Sequence, residues 1–332
     1  MTAHSVFKAR DLGELINALP ALFGFPPANS LVALGLDGPR IVFGMRIDLP
    51  PTSEIDAAAS LAAGHLEHQQ VDGAIVLAIG EPLDVGKQLV KAVEARLTSV
   101  RPVAGGWASD ERYWVSMADV DPEGHVYRRT LDHPAAAQAV WEGHEISSSR
   151  EAIAERMLPI GGDLREWIER SAHETSRRFD ADVAALSEHE LAAWTSDELL
   201  PIVHDLLAER QVDDGVVMRL GCALRLIPIR DAVWGCITEQ NSRDMVRVWL
   251  HVARRVPVEW TPPALCLAAF ASWLAGDGAV AVMAAERAKE VDATYSMARL
   301  MLDLACSGLS PQTWKGFPEP GQPERNDVEA AS

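Results

Sequence analysis

The spacing of apolar positions changes character near residue 134, and the change separates two kinds of structure along the chain. Before it, apolar residues come in short runs bounded by turn residues, the pattern of strands alternating with helices. Residues 12–23 are apolar at helical spacing and end at Gly24, after which Phe25, Pro26, Pro27 and Asn29 form a turn. Residues 30–36 (SLVALGL) and 40–50 (RIVFGMRIDLP) read as two strands joined through Asp37 and Gly38, a hairpin signal. Ser53 with Asp56 opens a helix to about Gln70 in the manner of a capping box. Residues 73–80 (GAIVLAIG) follow as a buried strand, and 84–97 as another helix. Residues 103–107 and 112–117 read as further strands, with a turn at 121–124 before Val126 and Tyr127. This alternation predicts an α/β domain with a mixed sheet over residues 1–133.

From Pro134 onward no strand pattern recurs, and helix starts take over. Ser148 with Glu151, Ser171 with Glu174, Ser187 with Glu190 and Thr195 with Glu198 all have capping-box spacing. Pro159, Gly161 and Gly162 interrupt this half, so residues 134–186 are expected to be a helical connector and 187–314 an all-α C-terminal domain. The most regular stretch lies at its end. Thr261, Pro262 and Pro263 start a helix, Gly276 stops it, Asp277 caps a second, and Asp292 with Thr294 opens a third. Ala281, Ala284, Ala285 and Ala288 share one face of the second helix, leaving it flat enough for a neighbouring backbone. With Trp273, Gly276 and Asp277, they fall where a tetratricopeptide unit places its packing residues. The pattern therefore predicts one tetratricopeptide-like helix-turn-helix unit. Residues 315–332, with Pro318, Pro320, Gly321 and Pro323 among charges, are expected to be a disordered tail.

Composition narrows the partners. A formal net charge of −18 over 332 residues disfavours nucleic acid and anionic membrane surfaces, both of which need a basic face. The N-terminus is charged where a signal peptide needs an apolar run, and no apolar stretch reaches membrane-spanning length, so a cytoplasmic protein is expected. Cys222, Cys236, Cys266 and Cys306 form no C-x-x-C pair and read as reduced core residues. Ten tryptophans are many for this length; Trp234, Trp249, Trp260, Trp273 and Trp314 are among those that crowd the helical half, and most are expected in the core.

Each motif that suggests chemistry meets a spacing test. Gly80, Gly86 and Lys87 follow a strand and precede a helix, as in a phosphate-binding loop. Five residues separate the glycines where the motif has four, however, and Gln88 replaces the hydroxyl that holds magnesium. An ordinary strand-to-helix connection is expected. The pairs His144–Glu145, His173–Glu174 and His189–Glu190 each lack a second histidine four residues on, where Ser148, Arg177 and Ala193 stand. His65 and His68, one turn apart beside Glu67, lack the further ligands that a metal needs. No nucleophile elbow is present. No cofactor and no metal are expected, and no residue is assigned a catalytic role.

Two sets of residues remain as candidates. Arg46, Asp48 and Glu81 sit at strand ends, where an α/β domain would hold a ligand, although Asp48 equally suits a turn. Arg230, Asp231, Arg254, Trp273 and Arg299 combine guanidinium groups with an aromatic residue in the helical half, the usual anchors of a protein interface, although arginines pairing with carboxylates between helices would look the same.

The chain also resembles the actinobacterial family known as domain of unknown function 4192. The resemblance is carried by LPALFGFPPANSLVALGL (residues 19–36), by Arg46, Asp48, Leu49 and Pro50, by Arg230, Asp231 and Trp234, and by WLAGDGAVAVMAAERA through YSMARLMLDL. It implies an N-terminal α/β part joined to a helical part, and it implies no activity. Around residues 117–124 the family pattern implies cysteines before a Pro-Glu-Gly turn. This chain has Ala118, Asp119 and Val120 there, which argues against a metal or redox role. The leading expectation is a protein-interaction or assembly module acting through its helical domain, with a protein partner or a second copy of itself. The alternative is a small-molecule-binding protein or enzyme with a site at Arg46, Asp48 and Glu81.

Overall fold

The computed structural model describes residues 9–116 and 121–317. The expected cysteine positions at 117–120 and residues 318–332 of the expected tail lie outside them. The chain divides into two compact units between Ile153 and Ala154.

The first unit is built on a six-stranded mixed sheet. Its strands are β1 (Ser30–Asp37), β2 (Arg40–Asp48), β3 (Gly73–Ile79), β4 (Arg101–Ala108), β5 (Arg112–Val115) and β6 (His125–Val126). They lie in the order β2-β1-β3-β4-β5-β6, and only the β3–β4 pair is parallel. Helices α1 (Leu12–Ala18), α2 (Pro20–Phe23), α3 (Ile55–His68), α4 (Leu83–Glu94) and α5 (Pro134–Trp141) complete the unit.

Both sheet faces are covered, which is why β1 and β3 read as unbroken apolar runs. On one face Ala59, Ala62 and Leu66 of α3 and Leu89, Val90 and Val93 of α4 pack on Leu31, Ala33, Ala74, Val76 and Ala78. On the other, Leu12, Leu15, Ile16 and Leu19 pack on Val32, Leu34, Leu77 and Ile79. Four local expectations are corrected. The helix expected over 12–23 is split by Pro20, which has no N–H to continue α1. Asp37 pairs with Arg40, so the hairpin turns on Gly38 and Pro39; Gly38 takes φ 55°, and proline's negative φ suits the place after it. Ser53 and Asp56 form no capping box, because a 3-10 turn at Thr52–Glu54 leads into α3 and Asp56 pairs with Arg96 at 2.7 Å. Asp84 does not open α4, which starts at Leu83 after Pro82.

Glu67, in the last turn of α3, ties that helix to the approach to β4. Its carboxylate accepts from the Ser99 hydroxyl and from the backbone N–H groups of Thr98, Ser99 and Val100. These bonds, the Ser99 hydroxyl first, hold its pKa down at about 2. A depressed carboxylate contributes stability above the ordinary carboxylate range, and that stability is lost as pH falls toward about 2. Glu67→Gln is expected to lower the Tm at neutral pH and to lose this difference on acidification, as a pH series of thermal melts would show.

The second unit is helical. It contains α6 (Arg150–Glu155), within which the division falls, α7 (Gly162–Val183), α8 (Glu188–Trp194), α9 (Leu200–Leu207), α10 (Asp214–Ala223) and α11 (Ile227–Trp234). Then come α12 (Ser242–Arg254), α13 (Thr261–Leu274), α14 (Gly278–Val291) and α15 (Ser296–Cys306). The segment read as a connector is shared out, since α5 packs with α1 and α2 whereas α7 packs with α10.

Of the expected capping boxes only Ser187 with Glu190 forms as read. Ser149, not Ser148, caps α6 through the Ala152 N–H. Ser171 and Glu174 lie inside α7, where Glu174 pairs with Arg177 and Arg178. The Thr195 hydroxyl donates back to the Leu191 carbonyl, in a helix that runs on from α8 through a π-helical turn into α9.

Every residue of α13 is buried, because α12 lies against it on one side and α14 and α15 on the other. Gly276, at φ 83°, ends the turn after it, and the Asp277 carboxylate accepts from the Val280 N–H at 3.2 Å. Ala281, Ala284, Ala285 and Ala288 are all fully buried. All four cysteines are free thiols. Cys222 and Cys266 are core residues as expected, whereas Cys306 is exposed at the end of α15, opposite that helix's buried Met297 and Met301. No described helix is long and apolar enough to cross a membrane.

Candidate functional site

The strand-end candidates divide. Arg46 and Asp48 leave β2 two residues apart on one face, and Arg46 Nη2 lies 2.6 Å from Asp48 Oδ1. Arg46 Nε donates to Ser30 Oγ at 2.8 Å, and that hydroxyl donates to the Ala28 carbonyl at 2.6 Å. Arg150 Nη1 approaches the other oxygen of Asp48 at 3.7 Å. The Arg46 side chain is 13% exposed and lies over the Phe25 ring, so burial pushes its pKa down, against the pull of Asp48.

The donors of Arg46 are thus spent on the turn that enters β1. The backbone repeats the tie, since the Leu49 N–H donates to the Asn29 carbonyl at 2.8 Å. Glu81 stands apart. Its carboxylate accepts from the Leu83 N–H at 3.0 Å at the start of α4, and no hydrogen bond or ion pair joins it to Arg46 or Asp48. Arg46→Met is expected to cost about 1–3 kcal/mol of stability through the orphaned Ser30 and Asp48, with the ionic share small because Asp48 is 65% exposed. Chemical denaturation of the purified variant checks this.

The phosphate-loop look-alike is an ordinary strand-to-helix connection. A Cβ on Gly86 would stand 3.0 Å from the Ala78 Cβ, so this glycine lets α4 sit close on β3. Lys87 carries its ammonium over the Trp107 ring at 5.6 Å. Among the described residues no group of three or more His, Cys, Asp or Glu side chains is placed to hold a metal ion.

The helical candidates also separate. Arg230 is buried, its side chain 10% exposed. Its Nε and Nη2 donate to Asp231 Oδ1 at 2.9 and 2.7 Å, and Nη1 donates to the Tyr295 hydroxyl at 3.0 Å, which ties α11 to the start of α15. Burial opposes its charge, but the bonds to Tyr295 and Asp231 outweigh burial and raise its pKa. Trp273 is buried in α13. Arg254 is half-buried; its carbonyl accepts from the Ile160 N–H at 3.0 Å, while its Nε is buried with no partner. Asp231 and Arg299 are exposed. These five do not converge on one surface patch, since two of them lie in the core.

What they border is a cluster of rings. Phe270 of α13 lies 5.4 Å from Trp234, 5.9 Å from Trp273, 5.4 Å from Trp314 and 6.0 Å from Phe317, between ring centroids. Trp234 and Trp314 each meet Phe317 edge-on, at 5.0 and 4.9 Å. Composition alone places Phe317 in the tail; its Trp-x-x-Phe spacing with Trp314 is the signal in the sequence for its place here.

The pattern of the family described as Domain of unknown function (DUF4192) matches residues 13–312. The chain belongs to this family. No curated protein and no solved structure matches it. The DUF4192 match takes in both units and all eight candidate residues, whereas Trp314 and Phe317 follow its end. Within each unit, residues that carry the DUF4192 resemblance make packing contacts. Arg46 binds the turn of residues 25–30, Arg230 binds Tyr295, and Trp234 meets Phe270 edge-on. Their contacts are those of a scaffold.

Proposed function

We propose that this protein is a cytoplasmic protein-binding module, and that its helical unit carries the binding surface for a protein partner or a second copy of the chain. In this reading α13 and α14 are a tetratricopeptide-like helix-turn-helix unit, with Gly276 and Asp277 in the turn and the alanines of α14 in close contact with α13. The observation that carries it is the ring cluster, where a 3-10 turn, Pro311–Thr313, and the chain that follows it to Phe317 already lie on the helices through Trp314 and Phe317. A helix stack that accepts a short non-α segment by aromatic burial has the chemistry of a peptide-binding surface. The acidic charge favours a protein over nucleic acid or an anionic membrane.

Lysine distribution provides the test. Lys87 and Lys91 lie in the first unit, and Lys289 and Lys315 are exposed in the second. Tagged full-length protein is captured from lysate of its own source and cross-linked through amines. The expected result is one partner, or a second copy, at constant stoichiometry with cross-links to Lys289 or Lys315. Cross-links confined to Lys87 and Lys91, or recovery of the monomer alone, would overturn the proposal.

A further inference from the structure

Residues 311–317 differ from the rest of the second unit in how they are held. The Thr313 and Trp314 N–H groups bond locally, to the Ser310 and Pro311 carbonyls. Two rings of the segment, Trp314 and Phe317, are set on Trp234, Phe270 and Trp273. The attachment is also incomplete. Trp234 Nε1 is buried with no acceptor although its ring touches Phe317, and Phe317 itself is 37% exposed. A buried N–H without an acceptor forfeits a hydrogen bond that a better-fitting occupant could supply. Gly316, beside Phe317, has φ 90° with nothing near its missing Cβ, so the chain there is not wedged in place.

We propose that residues 311–317 are an internal ligand, a releasable strap over a groove lined by Trp234, Phe270 and Trp273. The groove's external ligand is a protein segment carrying a Trp-x-x-Phe pair and an acceptor for Trp234 Nε1. The proposal deepens the protein-binding reading and depends on it for its biological partner. The chain's own segment shows which chemistry the groove takes: an indole and a phenyl ring three residues apart, with little demand on backbone hydrogen bonds. Because the strap is tethered, it competes at high effective concentration, and the wild-type protein is expected to bind an external copy about tenfold or more weakly than a strap-less one.

The probe is a fluorescent peptide of residues 310–317, SPQTWKGF, and the protein is the full chain. Its anisotropy is expected to rise saturably with a Trp314→Ala/Phe317→Ala double variant, to rise much less with wild type, and not to rise when the peptide's Trp and Phe are alanine. Absence of binding to a double variant that keeps its helical circular dichroism and its cooperative melt overturns the proposal, as does equal binding to both proteins. Should the double variant not fold, wild type gives the answer through trypsin cleavage after Lys315. Excess peptide, with its own lysine replaced by glutamine so that trypsin spares it, is expected to accelerate that cleavage by releasing the strap, and an unchanged rate overturns the proposal. The two readings fail separately. A partner captured at Lys289 or Lys315 without peptide binding removes only the strap, whereas peptide binding without any captured partner removes only the biological reading.

Discussion

Gly80→Ala is expected to destabilise the first unit by more than about 3 kcal/mol, the range of substitutions that combine backbone strain with a core clash. Gly80 follows β3 at φ 117°, a region that side chains with a Cβ rarely enter. Its N–H donates to the Ala108 carbonyl at 2.8 Å, which holds that geometry in place. A Cβ there would stand 2.3 Å from Asn29 Oδ1, and 2.8 and 2.9 Å from the Asn29 Cα and N. The side-chain oxygen could swing away, but the backbone of Asn29 cannot, because its carbonyl is tied to Leu49 and its neighbour Ser30 to Arg46.

Gly276→Ala is the control. Gly276 also has positive φ, at 83°, but nothing lies near its missing Cβ, so only the conformational cost of about 1–2 kcal/mol applies. Denaturant unfolding of both variants, with hydrogen exchange in β1 and β3 as the local readout, checks the difference. Equal costs would mean that the contact between Gly80 and Asn29 plays no part.

Phe270→Ala is expected to cost about 3–5 kcal/mol and to loosen the second unit around α13. Phe270 is 1% exposed and meets four other rings, so its removal leaves a cavity whose aromatic walls are too rigid to collapse. Trp249→Phe in α12 is the contrasting change. Trp249 is fully buried, but its Nε1 has no partner, so a phenyl ring gives up volume while removing an unanswered donor. It is expected to cost well under half as much. Thermal melts followed by far-ultraviolet circular dichroism compare the two, and a larger loss for Trp249→Phe would show that its indole N–H is satisfied after all.

The course of the fold was legible wherever one local rule acted alone. Alternating apolar runs placed β1, β2 and β3. The prolines at 262 and 263, Gly276 and Asp277 bounded α13 and α14, since fixed φ, positive φ and a capping carboxylate are properties of single residues. Signals of the same strength misled where longer-range contacts competed. Ser171 with Glu174 has the spacing of a cap, but α7 runs through it, because Ile168 and Phe179 bury a face on either side. Ser53 with Asp56 lost its cap to Arg96, forty residues along the chain.

The candidate residues follow the same division. That Arg46 and Asp48 would meet was readable from two positions on one strand face. That Glu81 would turn to α4 instead depends on the path of the chain after Gly80. Arg230 and Trp273 carry the composition of an interface, and sequence cannot tell an arginine on a surface from one buried against Asp231 and Tyr295, because burial is set by what packs above it.

By itself, then, the sequence determined the family, the mixed α/β half, the helical half and the bounds of α13 and α14, all of which follow from periodicity and from the conformational limits of proline, glycine and short polar side chains. Only the tertiary structure decided which charged residues are spent on the scaffold, and that the last aromatic pair lies on α13. Those outcomes depend on contacts between residues tens of positions apart, such as Arg230 with Tyr295, and no local pattern records them.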